Sequence, residues 1–156
     1  MKFCNRCFEI YQDNLNTKYC PKQNCAGHIV EVDEQIAPSI ILLNQNGYET
    51  THSCAGHWHE EHPTPYIKFK CDTIEQAEFY KNFFSDASGN WRIDQATKNE
   101  FAPPYNTDEF ASKQVYLRCM INGWNDMSYA EKNRWISLQN NTLYDYLKEI
   151  IKQEKK

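Results

Sequence analysis

Most of the chemistry this chain can do rests on seven cysteines and five histidines, all but Cys71 and Cys119 gathered in two places. Cys4-Asn5-Arg6-Cys7 and Cys20-Pro21-Lys22-Gln23-Asn24-Cys25 are two close pairs separated by twelve residues. Two chelating pairs at that separation close a hairpin around one tetrahedral ion, and thiolates are ligands that Zn²⁺ favours. Four thiolates leave no position for water, so the ion is structural. The expected metal ligands are therefore Cys4, Cys7, Cys20 and Cys25. His28 follows Cys25 by three residues and has the chemistry to replace a ligand, although an exposed imidazole is the simpler reading.

The second cluster is Thr51-His52-Ser53-Cys54-Ala55-Gly56-His57-Trp58-His59-Glu60-Glu61-His62, which holds four of the five histidines. Three chemistries are open there. Cys54 and His57 are candidate catalytic residues, His57 promoting the thiolate or moving protons while Gly56 lets backbone approach a ligand. Cys54 with some of His57, His59 and His62 is a candidate metal set. The plainest alternative is a polar surface loop with a packed thiol. Cys71 and Cys119 lie among apolar residues and read as buried hydrophobes. No glycine-rich phosphate loop and no Gly-x-Ser-x-Gly elbow occurs. Asp33-Glu34 and Asp108-Glu109 sit where helix starts favour negative charge.

The elements that must position these groups follow from pattern. Phe3, Phe8, Ile10 and Tyr11 alternate with polar residues, and Asp13-Asn14-Leu15-Asn16 turns the chain, giving a metal-held hairpin. His28 to Val32 reads as a strand leaving it. Asp33 is placed to cap a helix with Ile36, Ile40 and Leu43 on one face and Gly47 past its end. Pro38 moves the start to Ala37 or Pro38, because proline is tolerated only in the first turn. Strands are expected over 48–53 and 65–70. Thr73-Ile74-Glu75-Gln76 is a capping box opening a helix that buries Ala77, Tyr80, Phe83 and Phe84. A strand over 90–94 completes the order β-α-β-β-α-β, that of the ferredoxin-like unit. Residues 114–121 read as a strand or short helix. A second capping box at Ser128 opens a long helix with Trp135, Leu138, Leu143, Tyr146, Leu147, Ile150 and Ile151 on its packing side. The expected class is α+β: a zinc ribbon over 1–28, and an α+β domain over 29–156 ending in the long helix.

Composition narrows the function classes. Hydrophobic residues make up 40% of the 156-residue chain, enough for a core, and its densest apolar run, Ile40 to Leu43, is too short to cross a bilayer. No apolar stretch follows the basic Lys2 and Arg6, so no signal peptide is expected and the implied compartment is the cytoplasm, where paired cysteines signify metal rather than disulfide. The net charge is −4, and residues 31–112 hold fourteen acidic against five basic side chains. An acidic middle repels phosphate backbones, so the charge as a whole does not support non-specific DNA binding; a local basic face on the last helix is open, with a solvated helix surface as the plainer reading.

Residues 3–28 resemble the zinc ribbons of many nucleic-acid-processing and regulatory proteins, although neither cysteine pair has the usual Cys-Pro-x-Cys-Gly knuckle. The stretch Leu42-Leu43-Asn44, Gly47-Tyr48-x-Thr50, Ser53-Cys54-Ala55-Gly56-His57 and Tyr66-Ile67-x-Phe69 is similar to small uncharacterised bacterial and phage proteins that combine a Cys-rich ribbon with a Gly-Tyr-x-Thr…Ser-Cys-x-Gly-His segment. That likeness implies no activity. A fainter similarity, at Thr51, Ser53, Cys54 and Gly56, is to tRNA wybutosine-synthesising methyltransferases. His57 stands where those enzymes have Arg, so their activity is not carried over. Together these readings imply a zinc-stabilised binding or regulatory protein for a protein or nucleic-acid partner. The alternative is an enzyme using Cys54 and His57 on RNA or a nucleotide.

Overall fold

The computed structural model describes residues 1–57 and 64–154. Three short strands, β1 (Lys2–Cys4), β2 (Ile10–Tyr11) and β3 (Ile29–Glu31), form an antiparallel sheet in the order β2-β1-β3. Phe3 pairs with Ile10 on one side and Val30 on the other. Its ring is 1% exposed and joins the same buried cluster as Ile36 and Ile40, so the cysteine-rich segment is packed onto the rest of the chain.

Helix α1 (Ala37–Gln45) carries Pro38 in its first turn, as the missing amide requires, and buries Ile40 and Leu43. Gly47 follows at φ +86°, a left-handed conformation that ends the helix at low cost. Asp33 does not cap this helix. The cap position is Ile36, without a side-chain bond, and the Asp33 carboxylate is engaged elsewhere.

Strands β4 (Thr50–Cys54) and β5 (Tyr66–Phe69), helix α2 (Ile74–Phe83), strand β6 (Trp91–Gln95), helix α3 (Asp108–Ser112), strand β7 (Val115–Cys119) and helix α4 (Tyr129–Glu154) follow. Both halves of the Thr73/Gln76 capping box are formed. The four later strands make a fully antiparallel sheet in the order β4-β5-β7-β6.

The fold is thus α+β with a long C-terminal helix, but the sheet departs from the ferredoxin-like pairing. β3 stays with β1, and β7 stands between β5 and β6, the place the unit's first strand would take. Burial explains the exchange. Val115, Leu117 and Cys119 of β7 are all fully buried, which suits a central strand, whereas Ile29 and Val30 of β3 are only half-buried.

Ile67, Phe69, Val115, Leu117 and Trp91 point from the sheet into the core, where α2 contributes Tyr80, the residue just past its end Phe84, and α4 Leu143 and Leu147. The phase of α4 differs from expectation at one position. Ile136, Asn140, Leu143, Leu147 and Ile151 recur at three- to four-residue spacing and are buried, so Leu138 falls on the opposite side and is 59% exposed. Two polar residues enter the buried face. Gln139 accepts the Trp91 indole N–H at its carbonyl (2.9 Å), and Asn140 Nδ2 donates to Ala55 O (3.0 Å).

Candidate functional site

The four N-terminal cysteines converge. Their sulfurs all lie within 4.8 Å of one another, with Cys4–Cys25 at 3.6 Å and Cys7–Cys20 at 3.8 Å. Four thiolates around Zn²⁺ at about 2.3 Å stand about 3.8 Å apart, so the cage already has the size of the ion. The backbone is shaped to it. The amides of Arg6 and Cys7 donate to Cys4 Sγ at 3.3 and 3.4 Å, and the Tyr11 hydroxyl lies 3.1 Å from Cys20 Sγ. A Cβ at Gly27 would fall on Cys4 Sγ, so only glycine lets the returning chain pass. Phe8 sits at φ +62°, a left-handed conformation that side chains rarely adopt.

Charge is prepared in the same place. Burial pushes the Cys4 thiol up, but the amides of Cys7 and Arg6 and the neighbouring sulfurs outweigh it and bring it down to about 7. The Glu9 amide pulls Cys7 down, yet burial and the three other sulfurs carry it up to about 11. Cys4 therefore gives up its proton readily, and Cys7 holds its proton until a cation replaces it. His28 is exposed and its ring packs against Tyr19 at 5.2 Å, outside the sulfur cage.

Cys54 and His57 are also brought together, and with a third residue that pattern reading had assigned to a helix start. One ligand atom each from Asp33, Cys54 and His57 lies within 4.8 Å of the others. Asp33 Oδ2 accepts the Ala55 amide at 3.0 Å and stands 3.9 Å from His57 Nε2. The Gly56 amide donates to Cys54 Sγ at 3.4 Å, and Gly56 itself sits at φ +94°. Asn140, from the far end of the sequence, holds this loop by its bond to Ala55 O. His59, Glu60, Glu61 and His62 lie outside the described residues.

A bulge in β4 sets which way Cys54 faces. Thr50 pairs with the inward Phe69, but His52 pairs with Lys68 and Cys54 with Tyr66. One extra residue between Thr50 and His52 reverses the alternation, so His52 and Cys54 share the sheet's outer face with Lys68 and Tyr66.

That outer face carries the other concentration of functional groups. His52, Thr64, Tyr66, Lys68, Tyr116 and Arg118 line a groove of about 430 Å³, to which no helix contributes among the described residues. Tyr66 and Tyr116 stand side by side on the two central strands with ring centroids 6.2 Å apart. Arg118 lies over the Tyr116 ring at 4.3 Å, held by Asp94 at 3.1 Å and Glu100 at 3.8 Å. Burial, then the charges of Cys54, Tyr116 and Asp33, push the Tyr66 phenol up, while Arg118 draws it down. Tyr66 is thus the electrostatic and spatial link between the groove and the Cys54–His57 corner.

Compared with known proteins, the chain matches no family model, no curated protein and no solved structure. Among the described residues no helix is long and apolar enough to cross a membrane. Asp33, Asn140 and the Tyr66/Tyr116 pair escaped sequence reading because each acts across long separations. Only the outward phase of Tyr66 against Ile67 and Phe69 left a local signal.

Proposed function

We propose that this protein is a zinc-stabilised binding module whose partner is single-stranded nucleic acid, taken on the open face of the four-stranded sheet. The observation that carries this reading is the Tyr66–Tyr116 pair on the two central strands, flanked by Lys68, Arg118 and His52. Unpaired bases stack on such rings, and the same face offers a guanidinium plane and an ammonium to the backbone. The ribbon's ion is Zn²⁺ and its role is to fold the first thirty residues; the sulfur spacing and the amide-to-sulfur bonds support both. Asp94 and Glu100 balance Arg118, so stacking supplies most of the affinity and duplex DNA is a poor partner.

Titration of labelled oligouridine and oligothymidine by fluorescence anisotropy at low salt tests this. Saturable binding is expected, weakened by about 5- to 150-fold in Tyr66→Ala and in Tyr116→Ala, the range for one lost base stack. With Lys68 as the phosphate contact and Arg118 already balanced by Asp94 and Glu100, log Kobs falls against log salt with a slope of about −0.7. No binding at low salt removes the reading and leaves a protein partner.

A second reading, an enzyme acting through Cys54 and His57 on RNA or a nucleotide, is favoured by the Asp33 carboxylate beside His57, which can orient the imidazole as a base for the thiol. Cys54 opposite Tyr66 would put that chemistry at the end of the groove.

A further inference from the structure

We infer that Asp33, Cys54 and His57 form a second metal site, binding a divalent ion of the Zn²⁺ or Co²⁺ type with one coordination position left open. The inference rests on the second reading, that this corner does chemistry, and gives it a cofactor. The three donors are a carboxylate oxygen, a sulfur and an imidazole nitrogen, a mixed set that suits borderline ions and excludes the hard cations Ca²⁺ and Mg²⁺.

Their geometry is close to coordination. All three ligand atoms fall within 4.8 Å, and Asp33 to His57 is 3.9 Å, against about 3.3–3.8 Å between ligands of a tetrahedral ion. Rotation of exposed side chains covers the difference, since His57 is 38% and Asp33 41% exposed.

The supports around the three residues are those a metal site needs. The Ala55 amide fixes Asp33 Oδ2, the oxygen that stands 3.9 Å from His57 Nε2, and that oxygen's second lone pair can still face an ion. The Gly56 amide donates to Cys54 Sγ and holds the sulfur in place. Asn140, 2% exposed, anchors the loop from the core through Ala55 O. Three protein ligands with solvent access differ in kind from the ribbon's closed thiolate cage: the fourth position takes water or a substrate atom. Tyr66 is the cross-strand partner of Cys54, so the groove borders this corner.

Metal content and cobalt spectra of the full chain test the site. Wild type, loaded with Zn²⁺ and freed of excess ion, is expected to carry two ions per chain. Cys54→Ala and the double variant Asp33→Asn/His57→Ala are expected to carry one, with far-ultraviolet circular dichroism unchanged. The Co²⁺ form of wild type should show a sulfur-to-metal band at the second equivalent that both variants lack, above the ribbon's own stronger band. Zn²⁺ should also protect Cys54 from iodoacetamide until a mild chelator removes the weaker ion.

One ion per wild-type chain overturns the inference, as does a second ion that survives Cys54→Ala. One ion together with fast alkylation of Cys54, with or without added Zn²⁺, removes the metal and keeps the thiol reading. One ion with unreactive Cys54 removes both.

Discussion

Gly27→Ala tests the proposed Zn²⁺ cage where the chain passes closest to a ligand sulfur. A Cβ at this position meets Cys4 Sγ and lies 2.8 Å from Arg6 Cβ, whereas ordinary contact begins at 3.4 Å. Gly27 has no left-handed backbone to strain, so the effect is purely steric. Restoring contact distance moves the sulfur on the order of an ångström, and a metal bond tolerates only about 0.2 Å. The expected loss of Zn²⁺ affinity is therefore more than the roughly 10- to 100-fold that follows removal of a supporting partner, because a ligand itself is displaced.

The assay is competition with a chromogenic chelator on the purified chain, read as ions released against chelator concentration. Gly47→Ala is the control. Its added Cβ meets nothing within 4 Å but sits at φ +86°, so it costs stability, about 1 kcal/mol, without touching the metal. Gly27→Ala with wild-type Zn²⁺ affinity would refute the reasoning, since it would mean that the four sulfurs are not held by this close passage of the chain.

Two further outcomes follow from buried groups. Asn140→Ala removes the donor to Ala55 O and Ile136 O, and a buried carbonyl left unpaired costs about 1–3 kcal/mol. Urea melts should show that loss, with faster amide exchange at Ala55 and Gly56; an unchanged midpoint and unchanged exchange would count against Asn140 as the loop's anchor. Burial pushes Cys119 up to about 12, and chiefly burial pushes Tyr80 up to about 12. The unfolded chain releases these protons first, so stability is fully present below about pH 9 and is lost as pH rises toward 12. The urea midpoint should fall from about pH 8 to about pH 11, and a flat profile would show that neither group is protected in the folded chain.

Local pattern carried much of this architecture. The cysteine spacing marked the cage, Thr73 and Gln76 marked the start of α2, and Pro38 with Gly47 bracketed α1, because caps, turns and chelating pairs are decided within a few residues. What the pattern hid was decided at long range. Asp33 in front of an apolar run looks like a cap, yet the amide it accepts belongs to Ala55. Asn140 looks like a solvent-facing interruption of α4, yet the core position it fills is defined by a loop 85 residues earlier. The place of β7 beside β5 follows from competition for burial between two strands, which no single segment displays.

The bulge in β4 has one more effect. β4 forms one border of the four-stranded sheet, where a row of unpaired N–H and C=O groups would otherwise invite a strand from a second molecule. The extra residue between Thr50 and His52 breaks the even spacing of that row and twists it. The irregularity that turns Cys54 outward thus also makes this border a poorer template for a strand from a second molecule.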